Sequence, residues 1–437
     1  MSHREHTIVR PEAEAPHRPL RVSPVVAAVV ASALPFLLLV GRFDEVGGTV
    51  PGLANLTGFV GALLIWWQVL LGVRQVSALA TPDRGAVVGL HAWLGASGAF
   101  FVLLHPLLEM VSERQDLLYL VRFDFTWVES SYTSLGRAAL LLFLALWLSS
   151  TLARAAVRYR VWRYTHYLSY PMAVLVFLHS YELGTFLLET PWLRWYWLAL
   201  AWSFAAVCAW RLAGPLLSAR YRLVRAHRVS DTVTLYTLAP LGRRLRPRPG
   251  QFCHLRTGLL APSHPFSVVE SREPGGVLAF AVRNAGPFTG RLAGLAPGAT
   301  VYLDGPYGTF TAEAGTDGRP SVLVAGGIGV TPFTGLVRSR PADGTWLFHV
   351  TRAAGDALFA DELRARLGAR YVNAVSDPAS GGAPFDAREI VRRLGPRAAR
   401  RARYFVCGSP GFVAHLTGSL LDQGVTADQL HIERFEW

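Results

Sequence analysis

The chain of 437 residues contains no lysine: all 43 of its Lys-plus-Arg residues are arginine. Charge is scarce at 17%, while hydrophobic residues reach 51%. That balance is too apolar for an ordinary soluble domain and too charged for a membrane bundle alone. Cysteine is scarcer still. Cys208, Cys253 and Cys407 form no CxxC pair and no iron–sulfur spacing, which argues against a disulfide framework and a thiolate-held cluster. Residues 1–21 lack an apolar core and carry Arg, His, Glu and Pro. Segment 1–22 is therefore expected to be a disordered cytoplasmic tail rather than a signal peptide.

What is present divides near residue 212. Before it lie six apolar segments, about 24–41, 53–73, 86–111, 134–153, 162–182 and 191–212. Each is close to the roughly 20 residues that cross a bilayer. The arginines cluster between these runs, as cytoplasmic flanks do. Nucleic acid is accordingly not an expected partner of this basic chain. Arg4, Arg10, Arg18 and Arg21 precede the first segment; Arg74 and Arg84 lie in the second connection. Arg154, Arg158, Arg160 and Arg163 lie in the fourth, and Arg220, Arg222, Arg225 and Arg228 follow the sixth. The odd connections are richer in acid. This pattern predicts a multi-pass cell-membrane protein with both termini in the cytoplasm.

Four histidines lie inside the apolar segments: His91 and His105 on the third, His166 and His179 on the fifth. Ionisable groups at such depth are functional candidates. At about 1.5 Å rise per residue, spacings of fourteen and thirteen place each pair roughly 20 Å apart along its helix. His91 and His166 then share an inner level, His105 and His179 an outer one. Two imidazoles per level suit axial ligation of two haems. They do not supply the three ligands of a catalytic zinc. A proton relay and plain interhelical hydrogen bonding are the alternatives. Fourteen residues return to nearly the same helix face, whereas thirteen miss it by more than a third of a turn. A kink at Pro171 would re-aim one ring.

After residue 213 the pattern changes to short strands with turn punctuation, predicting a small antiparallel barrel over 214–317. HPFS at 264–267 lies on one strand. Arg283, Gly286 and Thr289 open a helix whose free N–H groups suit phosphate. From 318 to 437 strands alternate with helices, as in a Rossmann-like parallel sheet. SVLVAGG runs into GGIGVTP at 326–332, a glycine turn that is not G-x-G-x-x-G. Cys407 stands at a strand end; a buried structural cysteine is the competing reading. Arg352, after another strand, suits a 2′-phosphate or plain solvation.

Together these residues resemble the NADPH oxidase and ferric reductase superfamily, most nearly its compact bacterial members, over about residues 24–437. The resemblance implies a six-helix transmembrane haem bundle at 23–213. An FAD barrel and an NAD(P) domain of the ferredoxin-reductase type would follow it. It implies two b-type haems on His91, His105, His166 and His179, the fourteen and thirteen spacing being the family's own. FAD would be bound by His264, Pro265, Phe266, Ser267, Arg283, Gly286 and Thr289, with Ser267 near flavin N5. NADPH (or NADH) would be bound by Gly326, Gly327, Gly329, Thr331, Pro332, Arg352, Cys407, Gly408 and Pro410. GPYG at 305–308 and CGSP at 407–410 resemble further motifs of the nicotinamide domain. Ser267, Cys407 and a C-terminal aromatic, Phe435 or Trp437, would form the hydride-transfer site. Electrons would pass from NAD(P)H to an extracytoplasmic acceptor. Oxygen is the first expectation; a ferric complex or an electron-accepting partner protein are the alternatives. The chain departs from the family in two places. No EF-hand loop precedes the bundle, and Glu109 stands where some eukaryotic oxidases carry a second histidine one turn after the outer ligand.

Overall fold

The computed structural model describes residues 23–80, 84–152, 156–339, 344–376 and 385–435, so the expected tail and Trp437 lie outside the described residues. The chain divides into two compact units, with the boundary after Ala213.

The first unit is helical: α1 (Ser23–Leu37), α2 (Thr49–Gly72), α3 (Arg74–Ala80), α4 (Arg84–Ser112), α5 (Val128–Ser150), α6 (Tyr159–His166), α7 (Ser169–Leu183), α8 (Thr185–Glu189) and α9 (Pro191–Ala213). Among the described residues four helices, α2, α4, α5 and α9, are single rods long and apolar enough to cross a membrane. The first expected span is instead a bent pair, α1 followed by a 3₁₀ turn at 40–46 inclined by 43°; counted as one span it makes five. The fifth expected span is broken. α6 ends at His166 and α7 begins at Ser169. Pro171 has no N–H for the carbonyl of Tyr167, and its ring crowds that carbonyl. The backbone answers by tightening: Tyr167, Leu168 and Tyr170 each donate to the residue three before. At 3.0 rather than 3.6 residues per turn, the roughly four such steps between His166 and Tyr170 add about a fifth of a turn. That is part of the rotation a thirteen-residue spacing lacks.

α2 and α4 approach closely because glycines face the partner. A Cβ on Gly61 would lie 3.0 Å from the Val102 side chain, and one on Gly95 would lie 2.6 Å from Gln68. Small residues permit this kind of helix contact in membranes.

The second unit holds two sheets. β1 (Ala219–Arg228), β2 (Val233–Pro240), β3 (Phe252–Arg256), β4 (His264–Ser267), β5 (Glu270–Arg272), β6 (Val277–Arg283) and β7 (Thr300–Tyr307) form an antiparallel sheet in the order β4-β3-β7-β1-β2-β6-β5. Helix α10 (Pro287–Ala293) lies between β6 and β7. The parallel sheet runs β10-β9-β8-β11-β12, from β8 (Ser321–Gly326), β9 (Thr345–Thr351), β10 (Tyr371–Val375), β11 (Arg403–Gly408) and β12 (Leu430–Arg434). Helices α11 (Thr331–Ser339), α12 (Ala360–Leu367), α13 (Ala387–Leu394), α14 (Pro396–Arg401) and α15 (Pro410–Asp422) connect its strands. Strand order reverses between β8 and β11, the switch point where doubly wound sheets bind ligands.

The two sheets share a core. Val233, Val269 and Ala281 from the antiparallel sheet region are buried with Phe333, Leu336 and Phe405. The Val269 carbonyl ties them further, accepting from Thr334 Oγ1 at 3.2 Å and from Arg338 Nη1 at 3.0 Å. Arg338 also makes a bidentate pair with Glu362, both contacts at 2.7 Å. Arg338→Met should therefore lower stability by about 1–2 kcal/mol, since it removes the bidentate partner of Glu362 and one of the two donors to the Val269 carbonyl. A denaturant midpoint equal to wild type would count against this.

Candidate functional site

The four bundle histidines meet in two facing pairs. Ring centroids of His91 and His166 are 6.1 Å apart, and those of His105 and His179 are 6.3 Å apart. Two imidazoles bound on opposite sides of one iron, each nitrogen at about 2 Å, place their ring centroids about 6 Å apart. Each pair could therefore hold one iron between its rings. Among the described residues no group of three or more His, Cys, Asp or Glu side chains is placed to hold a metal.

The outer pair is held in one repeated way. His105 Nδ1 lies 2.8 Å from the carbonyl of Ala54, and His179 Nδ1 lies 2.9 Å from the carbonyl of Tyr132. A carbonyl only accepts, so Nδ1 carries the hydrogen and Nε2 keeps its lone pair. That is the tautomer and the support metal-ligating histidines use. Four residues beyond each carbonyl stands a glycine under the ring. A Cβ on Gly58 would lie 3.0 Å from His105 Nδ1, and one on Gly136 would lie 2.6 Å from His179 Nδ1. Sequence reasoning missed both glycines; their signal is an apolar-helix glycine four residues past the accepting carbonyl.

The inner pair is held differently. Trp162 stacks on His166 with centroids 5.0 Å apart and donates to Ser150 Oγ at 3.2 Å. Ser150 Oγ lies 3.4 Å from His166 Nδ1. His91 Nδ1 is buried beside the backbone of Gln68, with no hydrogen bond of good geometry among the described residues. Such a nitrogen costs about 1–3 kcal/mol unless something engages it.

In the second unit, HPFS forms β4. Ser267 is buried, and Phe266 and His264 pack against Phe288 with ring centroids 5.7 and 4.2 Å away. Pro265 is exposed. Thr289 Oγ1 accepts from the backbone N–H groups of Ala285 and Gly286, both at 3.0 Å. Its hydroxyl thus shapes the turn that carries Gly286. Arg283 ends β6 with Nε buried and unpartnered among the described residues, and its Nη2 would lie 3.2 Å from a Cβ on Gly327.

The two glycine motifs converge at the switch point. GGIG follows β8 and CGSP follows β11, which lie side by side. A Cβ on Gly329 would fall 2.3 Å from the Cys407 carbonyl, and one on Gly408 would fall 3.3 Å from Gly326 Cα. Gly327 has φ +55, a left-handed conformation that glycine adopts freely. Thr331 and Pro332 are buried at the start of α11, Pro410 is exposed at the start of α15, and Arg352 is exposed just past β9. Cys407 is fully buried and desolvation pushes its thiol well above its usual range, so it serves only as a neutral group. Its register partner on β12 is Glu433, whose carboxyl burial raises to about 7. Phe435 packs, partly buried, against the core that contains Cys407 and Phe405.

Comparison with known proteins accounts for both units. Residues 57–177 match the family model described as ferric reductase like transmembrane component. Ferric reduction oxidase 4 of Arabidopsis thaliana is 24% identical over 291 residues, 64% of this chain and 40% of that one. A flavohemoprotein of Bordetella pertussis is 28% identical over 242 residues, 49% of this chain and 60% of its own. These matches support a ferric reductase and NADPH oxidase-like superfamily and an oxidoreductase with a ferric reductase like transmembrane component. Among solved structures, the ferredoxin reductase in carbazole 1,9a-dioxygenase covers 50% of this chain and 69% of its own, at 23% identity and a TM-score of 0.42. The chain spans 64% of the length of the propane 2-monooxygenase reductase component of Rhodococcus jostii and 60% of that of the Bordetella pertussis flavohemoprotein.

Two outcomes follow from this geometry. On the reading that each histidine pair holds one haem, Gly136→Ala should displace His179 and lower bound haem per chain by about half. Gly98→Ala, whose Cβ meets only Leu64 at 3.4 Å, should leave it unchanged. Haem quantified by pyridine haemochrome decides, and equal loss in both variants would count against the cradle. Glu433 adds a pH signature. Its folded pKa of about 7 exceeds the ordinary 4.5, so its neutral form contributes stability that is full below 4.5 and lost as pH rises through 7. The melting temperature of wild type relative to Glu433→Gln should fall across that window; a constant difference would refute the assignment.

Proposed function

We propose that this membrane oxidoreductase carries electrons from cytoplasmic NAD(P)H to an acceptor on the opposite side of the membrane. In this reading the bundle crosses six times with both termini cytoplasmic, the broken α6–α7 pair and the bent first segment each counting as a span. The observation that carries the reading is the two facing imidazole pairs, 6.1 and 6.3 Å between centroids. His91 and His166 would hold the inner haem iron, His105 and His179 the outer. When bound, FAD would supply conversion of a two-electron hydride into single electrons, and haem would supply one-electron redox chemistry.

The chain's own residues give each nucleotide a place. His264, Pro265, Phe266 and Ser267 line the flavin side, and Ser267 offers a hydroxyl near the reacting ring. Arg283, Gly286 and Thr289 would receive the FAD phosphates. Gly326, Gly327, Gly329, Thr331, Pro332, Arg352, Gly408 and Pro410 would receive NADPH or NADH at the switch point. Cys407 would contact the nicotinamide as a neutral thiol. Phe435 or Trp437 would cover the flavin until nicotinamide displaces it; the packing of Phe435 on the core favours Trp437.

His105 and His179 would both be taken up in holding the outer iron, so an acceptor would be reduced beside these residues rather than bound by them. Oxygen, giving superoxide, is the first reading. Ferric chelate reduction is the second. It is favoured by Glu109, which stands one turn beyond His105 and could interact with a cationic metal complex. An electron-accepting partner protein would instead show as slow turnover with both small acceptors.

Purified protein with NADPH separates these. Superoxide formation in air supports the first, and rapid anaerobic reduction of a ferric chelate with little oxygen use supports the second. In either case His91→Ala should abolish the inner haem signal and reduction of the far-side acceptor, while reduction of a soluble dye by the flavin region persists. Loss of both activities in a folded, FAD-containing variant would overturn the proposed order.

A further inference from the structure

His349 is fully buried in the middle of the parallel sheet, on β9, opposite Ala325 of β8 and Asn373 of β10. Its Nε2 lies 2.9 Å from the carbonyl of Gly327, and its Nδ1 lies 3.3 Å from the hydroxyl of Tyr371. The carbonyl can only accept, so Nε2 carries the hydrogen; Nδ1 then accepts from Tyr371. Burial pushes this ring down to about 4, which keeps it neutral and keeps that hydrogen order.

The consequence lies in the peptide that follows Gly327. It is trans, so its C=O and N–H point in opposite directions. Holding the Gly327 carbonyl toward the sheet aims the Ile328 N–H away from it, to the open side of the glycine turn. The Arg283 guanidinium, given above to the FAD phosphates, borders the same turn and adds positive charge beside it, 3.2 Å from where a Gly327 Cβ would be. A donor N–H and a cation brought to one left-handed glycine suit an anionic group, and the pyrophosphate of a dinucleotide is the one that the switch point would present.

We propose that His349 is a positioning residue for nicotinamide dinucleotide binding: its Nε2–H holds the Gly327 carbonyl and thereby fixes the backbone amide that meets the pyrophosphate. This rests on the NAD(P)H reading above. It adds to that reading a residue beneath the site that touches neither nicotinamide nor flavin.

The test uses the full chain in detergent, loaded with FAD. It reads NADPH-driven reduction of a soluble dye and, separately, the affinity for ADP-ribose, which carries the pyrophosphate without the nicotinamide. His349→Leu should raise the KM for NADPH and the Kd for ADP-ribose about tenfold, the worth of one buried hydrogen bond, with kcat and flavin content unchanged. His349→Gln, whose amide N–H can reach the same carbonyl, should recover most of the loss. Gly327→Ala, which strains the same peptide from the other side, should raise both constants without the histidine being touched. The proposal is overturned by unchanged ADP-ribose affinity in His349→Leu. It is equally overturned by failure of His349→Gln to recover affinity at wild-type melting temperature, or, should the leucine variant not fold, by unchanged constants in Gly327→Ala. If wild type itself binds no ADP-ribose and oxidises neither NADPH nor NADH, the nucleotide reading fails, and the variants are not what decides it.

Discussion

A ring nitrogen buried among apolar helices needs a hydrogen bond or a metal, because leaving it bare costs about 1–3 kcal/mol. In this bundle that need organises the surrounding sequence. Helix carbonyls are already committed to their own ladder, so an imidazole reaches one only by lying almost on the helix backbone. Such closeness requires glycine beneath the ring. Gly58 and Gly136 satisfy it on two different helices, each four residues after the carbonyl that accepts from Nδ1. The same arrangement leaves Nε2 of each outer ring outside that bond, with the two rings 6.3 Å apart between centroids. Hydrogen bonding, helix packing and ligand geometry are here one constraint.

The break in the fifth segment belongs to the same constraint. A continuous α-helix would put His166 and His179 on different faces, and only one could face a histidine of α4. The tightened backbone between His166 and Tyr170 supplies part of the missing rotation, and both rings end opposite their partners. Ending α6 at His166 also lets Trp162 lie against the imidazole and share Ser150 with it. Of the inner pair His166 is thus steadied by side chains, whereas both rings of the outer pair are held by backbone.

Much of this was legible from residue spacing. Two histidine pairs at matched depth, HPFS on a strand and a glycine turn after a buried strand all carry a period or a motif, and the structure gives each the expected element. Other features carry no such mark. Pro171 signals a kink but not its amount, which depends on how many backbone bonds shorten. Gly58 and Gly136 read like any small residues of a packed helix, since the ring above each comes from a distant helix. His349 sits in an apolar strand and reads as a core residue; its partner Gly327 is near only because β8 and β9 are neighbours. Phe435 carries an aromatic signal that stacking on flavin and packing in a core would share.

The two units meet different demands. Hydride transfer requires reacting atoms within about 3–3.5 Å, so the groups that hold flavin and nicotinamide must belong to one rigid body. The shared core of Val233, Val269, Ala281, Phe333 and Leu336 provides that body. The Val269 carbonyl, two residues beyond Ser267, receives both Thr334 and Arg338 from α11, the helix that the GGIG turn leads into. A shift of the strand that carries Ser267 therefore moves the glycine turn at 326–329 with it. His349 extends this linkage to the far side of the turn, joining Gly327 to β9 and, through Tyr371, to β10. The glycine turn is pinned from two directions, by the strand beneath it and by the helix after it. That is what a backbone needs if its own amides, rather than flexible side chains, are to recognise the ligand.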